Sequence, residues 1–446
     1  MKKMNSIKNK KVTVLGAGIS GIGASSLAAH LGAKVTLIDE NKKLKIQNLE
    51  KIKIIVGKNT NQIIDADIIV VSPGIDLKNK KIFKIINKKN IPVIGEIEFG
   101  SWFTNSKIIG ITGSNGKSTV VNIIFSAAKK KFKNTMLGGN IGVSFCSNVL
   151  KEIKKRLENT IHILELSSFQ LEKIFHFNPE IGCILNISKD HLDRYKNFEE
   201  YYNTKFKIYN KKNITYYNQN DKILNKEFRL AKNAIPFSIK NDPNYKVKNN
   251  CILIKNNDKK LIELNKTTLL GKHNIENILA AVHILKKIMI SDSTIQDTIY
   301  NFSPLNHRLE KIIYKNSPLF INDSKGTNIF STNVAINCFT KNIILILGGY
   351  KDDNLNTNDL IKTINRKKIE TIICYGQIGE YIHNIIKNYK KTEYIKDFKK
   401  AILYSINIAK SKNVILFSPG FKSYDQFKNF EERGNEYKSI INNYYN

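Results

Sequence analysis

The chain has 446 residues, room for two to four domains with sizeable cores, and its 41% hydrophobic content excludes a disordered polymer. Its 72 Lys and Arg against 38 Asp and Glu give a net charge of +34, a balance that on its own suits nucleic acid or an anionic membrane surface. Lysines are spread along the whole chain, however, Arg is scarce, and Lys, Asn and Ile are inflated together as in an A/T-rich genome. With no RRM, KH or helix-turn-helix pattern either, neither partner is expected, and the basic surface serves at most to steer anionic substrates.

The basic N-terminal stretch runs straight into Val12-Thr13-Val14-Leu15-Gly16, too short and too Gly-interrupted for a secretion signal. No apolar run approaches the roughly 20 residues of a membrane span. Five scattered cysteines (Cys146, Cys183, Cys251, Cys338 and Cys374) lack any C-x-x-C spacing and fit small core residues in a reducing compartment. A soluble cytoplasmic protein is expected.

Strand 12–15 leads into Gly16-Ala17-Gly18-Ile19-Ser20-Gly21, a helical run over 24–31, and a second strand at 34–38 that ends on Asp39. This is a complete G-x-G-x-x-G βαβ unit with an acid at the ribose-binding distance, a pattern shared by NAD, FAD and UDP-sugar sites. A strand at 66–71 stops at Ser72-Pro73-Gly74, a turn at the sheet edge where open α/β folds bind ligands. Residues 91–94 followed by Gly95-Glu96-Ile97-Glu98 form the exit of this first domain.

Lys107-Ile108-Ile109-Gly110-Ile111-Thr112-Gly113-Ser114-Asn115-Gly116-Lys117-Ser118-Thr119 is a β-branched strand breaking into a Gly-rich turn that opens a buried helix. Such a turn cradles a triphosphate: glycines let backbone N–H groups approach the phosphates, Lys117 reaches the β/γ-phosphates, and Ser118 ligates Mg²⁺. The generic pattern asks for glycine at Ile111, which this chain lacks. ATP or GTP is the expected nucleotide. Gly138-Gly139-Asn140-Ile141-Gly142 is a further glycine turn, and the buried strand 161–165 delivers Glu165 at its end, either to orient Mg²⁺ or merely to begin a helix. His191, among carboxylates beyond the strand at 181–187, is a metal ligand, a base, or neither. Residues 211–258 are Lys/Asn-rich and poorly patterned, and predict an irregular sheet or loop edge.

From about residue 303 the α/β pattern resumes, with strands at 318–321, 343–347, 371–374 and 414–417 and a closing Ser418-Pro419-Gly420. Arg308 offers a fork suited to phosphate charge. The order of elements predicts an α/β protein of three domains: an N-terminal Rossmann-like domain (1–98), a central P-loop ATPase-like domain with a parallel or mixed sheet (99–302), and a C-terminal Rossmann-like domain (303–446).

The ensemble resembles the Mur ligase family. The residues that carry the likeness run end to end: the phosphate loop 111–119, the Asn140 turn, Glu165-Leu166-Ser167-Ser168-Phe169-Gln170-Leu171-Glu172, and Asp190-His191-Leu192-Asp193-Arg194-Tyr195. They continue with Gly271-Lys272-His273-Asn274, His307-Arg308-Leu309-Glu310, Asn322-Asp323-Ser324-Lys325-Gly326-Thr327-Asn328 and the block from Ser423 through Phe430 and Arg433 to Gly434. The family's own phosphate loop shares the departure at Ile111. The resemblance implies an ATP-dependent amide ligase of peptidoglycan precursor synthesis. The 423–434 block, the N-terminal G-x-G-x-x-G and the lack of an Asp-Asn-Pro-Arg motif point to addition of D-glutamate to UDP-N-acetylmuramoyl-L-alanine.

By the same resemblance Gly113, Ser114, Asn115, Gly116, Lys117, Ser118, Thr119, Asn274, Arg308, Asp323 and Lys325 bind ATP, and Lys117, His191, Lys205 and Arg308 are catalytic. Two Mg²⁺ ions rest on Ser118, Glu165, His191 and Lys205. Lys205 matches a lysine that family members carbamylate, which makes it an anionic oxygen donor; Lys207 is its rival. Ile19, Ser20, Gly21, Asp39, Ser72, Pro73, Gly74, Asn140 and His191 are expected to bind the UDP substrate, and Thr327, Lys351, Ser423 and Phe430 the D-glutamate. A monomer acting on small molecules, with no nucleic acid and no membrane, completes the expectation.

Overall fold

Runs of Val and Ile with no polar alternation are strands buried on both faces, the signature of parallel sheets covered by helices. The computed structural model bears this out; it describes residues 6–43, 49–57, 65–76, 86, 88–188, 194–303, 306–340, 342–350, 361–362, 364–365 and 368–445. The chain divides into two compact units, Met1–Asn265 with Glu276–Tyr300, and Lys266–Ile275 with Asn301–Asn446.

The first unit begins with β1 (Lys11–Leu15), β2 (Lys34–Asp39), β3 (Ile52–Val56), β4 (Ile68–Val71) and β5 (Val93–Gly95), an all-parallel sheet in the order β3-β2-β1-β4-β5. The helix Ile19–His30 follows β1. It packs directly on the preceding turn because residue 21 has no side chain: a Cβ there would lie 1.7 Å from the Gly16 carbonyl oxygen.

A short helix, Glu96–Ser101, leads out of this sheet, and its two acids are buried. The Glu98 carboxylate accepts hydrogen bonds from the Trp102 indole N–H (2.8 Å) and from the backbone N–H groups of Phe175, His176 and Phe177 (2.8–2.9 Å). A buried carboxylate is tolerated where donors replace its lost hydration. Here they also tie the first sheet's exit to the second sheet.

That second sheet comprises β6 (Lys107–Thr112), β7 (Thr135–Gly139), β8 (Ile161–Glu165), β9 (Ile181–Ile184), β10 (Ile214–Asn218) and β11 (Ala234–Phe237), all parallel, in the order β11-β10-β9-β6-β8-β7. The chain runs from β6 to the far edge and back through β8 before β9 forms on the other side of β6, so the phosphate loop leaves the sheet at its topological switch point.

Residues 211–258, expected as an irregular sheet or loop edge, hold β10, β11, β12 (Tyr245–Lys248) and β13 (Cys251–Ile254); β12 and β13 join β14 (Lys259–Glu263) in a small antiparallel sheet whose register shifts between β13 and β14. β12 and β13 are joined by Asn249 and Asn250, both at positive φ (50° and 55°), the geometry of a two-residue type I′ hairpin. The Asn-Asn pair was the signal; four-residue strands carry too few alternations to show a period.

In the second unit β15 (Glu310–Ile312), β16 (Leu319–Asn322), β17 (Ile343–Gly348), β18 (Ile369–Tyr375), β19 (Thr392–Tyr394) and β20 (Val414–Gly420) build a sheet in the order β15-β16-β20-β17-β18-β19, antiparallel only between β15 and β16. All five cysteines are free thiols, four of them buried. No described helix is long and apolar enough to cross a membrane.

Candidate active site

The loop after β6 turns through Gly113 (φ 148°) and Gly116 (φ 85°) into the helix Lys117–Lys131. Gly116 is the helix N-cap in the left-handed region, and a Cβ there would sit 2.3 Å from the Asn277 Oδ1. Glycine is therefore required twice over, by backbone and by space. The Lys117 ammonium donates to the carbonyl oxygens of Gly113 (2.8 Å) and Ser114 (2.9 Å), holding a cation where phosphate oxygens are expected. Ser118 and Thr119 are buried in the first helical turn.

The segment beyond β9 fixes the loop from outside. Asn186 accepts from the Asn115 N–H (2.8 Å) and donates to the Asn115 carbonyl (3.1 Å), and its own carbonyl accepts from the Ser114 N–H (2.9 Å). The Ser114 hydroxyl meets Ser188 on both its N–H (2.9 Å) and its carbonyl (3.1 Å), and also the Tyr201 hydroxyl (2.9 Å). Asn186, Ser188 and Asn277 are site residues that sequence reasoning missed. Their weak signal is polar side chains placed just past a strand end and in the first turns of a helix.

Glu165 ends β8, one strand over from the loop, in register with Ile111. Its Oε1 accepts from the Asn140 amide (2.8 Å); its Oε2 is buried with no hydrogen-bond partner. An unpartnered carboxylate oxygen beside a phosphate loop fits a hard cation. Ser118 and Glu165 are thus suitable Mg²⁺ ligands, although no cluster of three or more His, Cys, Asp or Glu side chains is found among the described residues. Lys205, in the helix Phe198–Phe206, is buried; its ammonium donates to the Gly113 carbonyl (3.2 Å) and lies 4.8 Å from the Tyr201 ring centre. Lys207 turns instead to the Glu172 carbonyl (2.8 Å), so the two candidate lysines point to different places. His191 and Lys351 lie outside the described residues.

At the carboxyl edge of the first sheet Asp39 accepts from the N–H groups of Ala17 (2.8 Å) and Asn41 (2.8 Å), bracing the glycine turn. The Ser72 hydroxyl donates to the Gly16 carbonyl (2.9 Å), and Ile19 is exposed at the helix start. Between this edge and the second sheet of the same unit opens a cleft of about 520 Å³, reaching from Ser72, Pro73 and Ile75 to Gln170, Arg194 and Thr204. On its wall Arg194 grips Glu172 with two bonds (3.1 and 3.0 Å) and stacks on Phe169, its guanidinium carbon 4.2 Å from the ring centre.

In the second unit Asp323 follows β16. It accepts from the Ser418 hydroxyl (2.7 Å) and the Leu309 N–H (3.3 Å), and burial pushes its carboxyl up to about 7 against the pull of those donors and of Arg308 and Arg433. The Lys325 ammonium stands 3.7 Å over the Phe430 ring, and the Phe430 carbonyl accepts from Ser324 (2.8 Å). Thr327 lies two residues beyond Lys325, and Ser423 is buried in the loop after β20. Asn274 donates to the Leu270 carbonyl (2.7 Å). The fully buried Arg433, quoted from the sequence only as part of the 423–434 block and given no role there, binds Ser324 through its hydroxyl (3.0 Å) and carbonyl (2.8 Å), the Tyr375 hydroxyl (3.2 Å) and the Phe421 carbonyl (3.1 Å). It cross-links the loops that carry Lys325 and Ser423.

A nucleotide loop, a glycine-turn sheet edge and a third α/β sheet thus recur along one chain, and known proteins share that whole arrangement. A Christiangramia forsetii protein named UDP-N-acetylmuramoylalanine--D-glutamate ligase is 36% identical over 97% of this chain and 99% of its own length. The chain belongs to the Mur ligase family. The Mur ligase middle domain matches residues 111–285, and the Mur ligase MurD-like N-terminal domain matches residues 10–95. Proteins of the same name from Buchnera aphidicola (38% identical; 97% of this chain, 98% of that one) and Clostridioides difficile (34%; 98% and 99%) agree. Among solved Mur ligases, UDP-N-acetylmuramate-alanine ligase from Thermotoga maritima superposes with a TM-score of 0.61 at 16% identity, covering 98% of this chain and all of that one. A pseudomurein peptide ligase type C from Methanothermus fervidus gives 0.61 at 18% with the same coverage. These two likenesses establish the Mur ligase fold.

Proposed function

We propose that this Mur ligase joins D-glutamate to UDP-N-acetylmuramoyl-L-alanine, consuming ATP and releasing ADP and phosphate, as a cytoplasmic monomer. The observation that carries the reading is the phosphate loop with Lys117 at its head and the unpartnered Glu165 oxygen one strand away. The relatives of 34–38% identity supply the choice of substrates.

In this reading the alanine carboxylate attacks the γ-phosphate, giving an acyl phosphate and ADP. The D-glutamate amine then attacks the acyl carbon, and the tetrahedral intermediate collapses to amide and phosphate. Mg²⁺, held by Ser118 and Glu165 and, with a second ion, by His191 and a carbamylated Lys205, supplies charge neutralisation at the phosphates. The chain's own part is positioning and electrostatics. Lys117 exchanges its two loop carbonyls for phosphate oxygens; the N–H groups of residues 113–119 cradle the triphosphate; Arg308 offsets charge that develops on transfer. Asp323, Asn274 and Lys325 complete the ATP site. Ile19, Ser20, Gly21, Asp39, Ser72, Pro73, Gly74 and Asn140 hold the nucleotide sugar. Thr327, Lys351, Ser423 and the Phe430 region hold the two carboxylates of D-glutamate.

The test is mass-resolved product analysis with UDP-N-acetylmuramoyl-L-alanine and ATP across an amino-acid panel, with ADP release measured alongside. The expected result is ADP release dependent on D-glutamate and a product heavier by one glutamyl residue. Activity only with L-alanine or a diamino acid overturns the assignment.

A further inference from the structure

Glu96 is the first residue of the helix that leads out of the first sheet, and it lines the 520 Å³ cleft together with Ser72, Pro73 and Gln170. It is 2% exposed. Its Oε1 accepts from the Cys146 N–H (2.6 Å), in the first turn of the helix Phe145–Lys155, while its Oε2 is buried without a hydrogen-bond partner. Glu98, two residues on, differs in that its two oxygens accept from four donors of its own molecule. A carboxylate left half-satisfied in a buried position costs stability, and a cleft wall is where a ligand can remove that cost.

The missing partner is a hydrogen-bond donor without charge of its own. A second anion is excluded by repulsion. A metal ion needs several oxygens, and no acid cluster surrounds Glu96 among the described residues. Building on the nucleotide-sugar reading above, we propose that Glu96 is a substrate-binding residue whose unpaired Oε2 accepts a hydrogen bond from an amide N–H or sugar hydroxyl of the acylated amino-sugar arm. UDP-N-acetylmuramoyl-L-alanine carries such donors in its acetamido group, its sugar hydroxyls and its alanyl amide. Burial is the largest influence on the carboxyl and raises it to about 7, against the pull of the Cys146 and Phe145 N–H groups and of the Cys146 thiol, which itself donates to the Glu96 backbone carbonyl (3.3 Å). The carboxyl's acceptor strength therefore changes near neutrality, which gives the contact a signature.

Calorimetry of UDP-N-acetylmuramoyl-L-alanine binding to the intact, ATP-free protein tests this. Glu96→Gln keeps an oxygen for Cys146 but sets an NH₂ donor where Oε2 stands, so affinity for the nucleotide sugar falls about tenfold while ATP affinity stays within about twofold. Wild-type affinity weakens as pH falls from about 8 to about 6, and Glu96→Gln flattens that profile. Wild-type-like binding by Glu96→Gln with an unchanged pH profile overturns the proposal, as does an equal loss of ATP affinity, which marks a purely structural role. Failure of the wild type itself to bind the nucleotide sugar overturns the functional reading beneath it.

Discussion

Lys117, the proposed phosphate-binding lysine, is held by two loop carbonyls at 2.8 and 2.9 Å. Because those bonds lie within a loop already fixed by Asn186 and Ser188, removing the side chain should leave the fold intact. Lys117→Ala is expected to lower the rate of ADP release by at least about 10³-fold while moving Tm by no more than about 2 °C, measured by coupled assay and thermal melt. Asp323 behaves differently. Burial holds its carboxyl at about 7, above the ordinary carboxylate value, so the folded chain binds this proton more tightly than the unfolded chain. The stabilisation is fully present below the carboxylate range and is lost as pH rises toward about 7. Asp323→Asn cannot ionise; between pH 5 and 8 the wild-type Tm should fall relative to this variant by a few degrees, and a parallel pair of curves would refute the assignment.

At the scale of elements, the helix Lys117–Lys131 depends on a left-handed N-cap that only glycine fills without strain. Gly116→Ala places a methyl 2.3 Å from the Asn277 Oδ1 as well. ATP affinity is expected to drop more than tenfold and Tm by several degrees, read by calorimetry and thermal melt; near-wild-type ATP binding would show that the loop tolerates another path. This element was legible because its signal is doubled: apolar strand, glycine turn and Gly-Lys-Ser occur in one unbroken stretch. The hairpin of β12 and β13 was not, since four-residue strands rich in Lys and Asn lack the apolar alternation on which a period can be counted.

The whole molecule was legible in its order of sheets more than in its polar interior. Alternating strand and helix patterns predicted three α/β domains; among the described residues there are two all-parallel sheets, a third that is parallel except at its β15 edge, and a small antiparallel sheet that no pattern announced. Motif spacing singled out Lys117 and Glu165, and the family resemblance Asp323, but neither indicated the polar side chains that brace the neighbouring loops: Asn186, Ser188, Asn277 and Arg433 are brought there by contacts between residues dozens of positions apart. No local window contains that information. The reading of the five scattered cysteines as free thiols, by contrast, needed only their number and spacing, and all five are unpaired.

The carboxylate nest at Glu98 has a practical side. It anchors the indole of Trp102, the single tryptophan in the sequence, which is 6% exposed and flanked by Phe99 and Phe103. The protein therefore carries one built-in lamp, wired to the joint between its first two sheets. Its colour should stay blue while that joint is shut and redden as soon as water enters, so loosening there can be followed optically with no label attached.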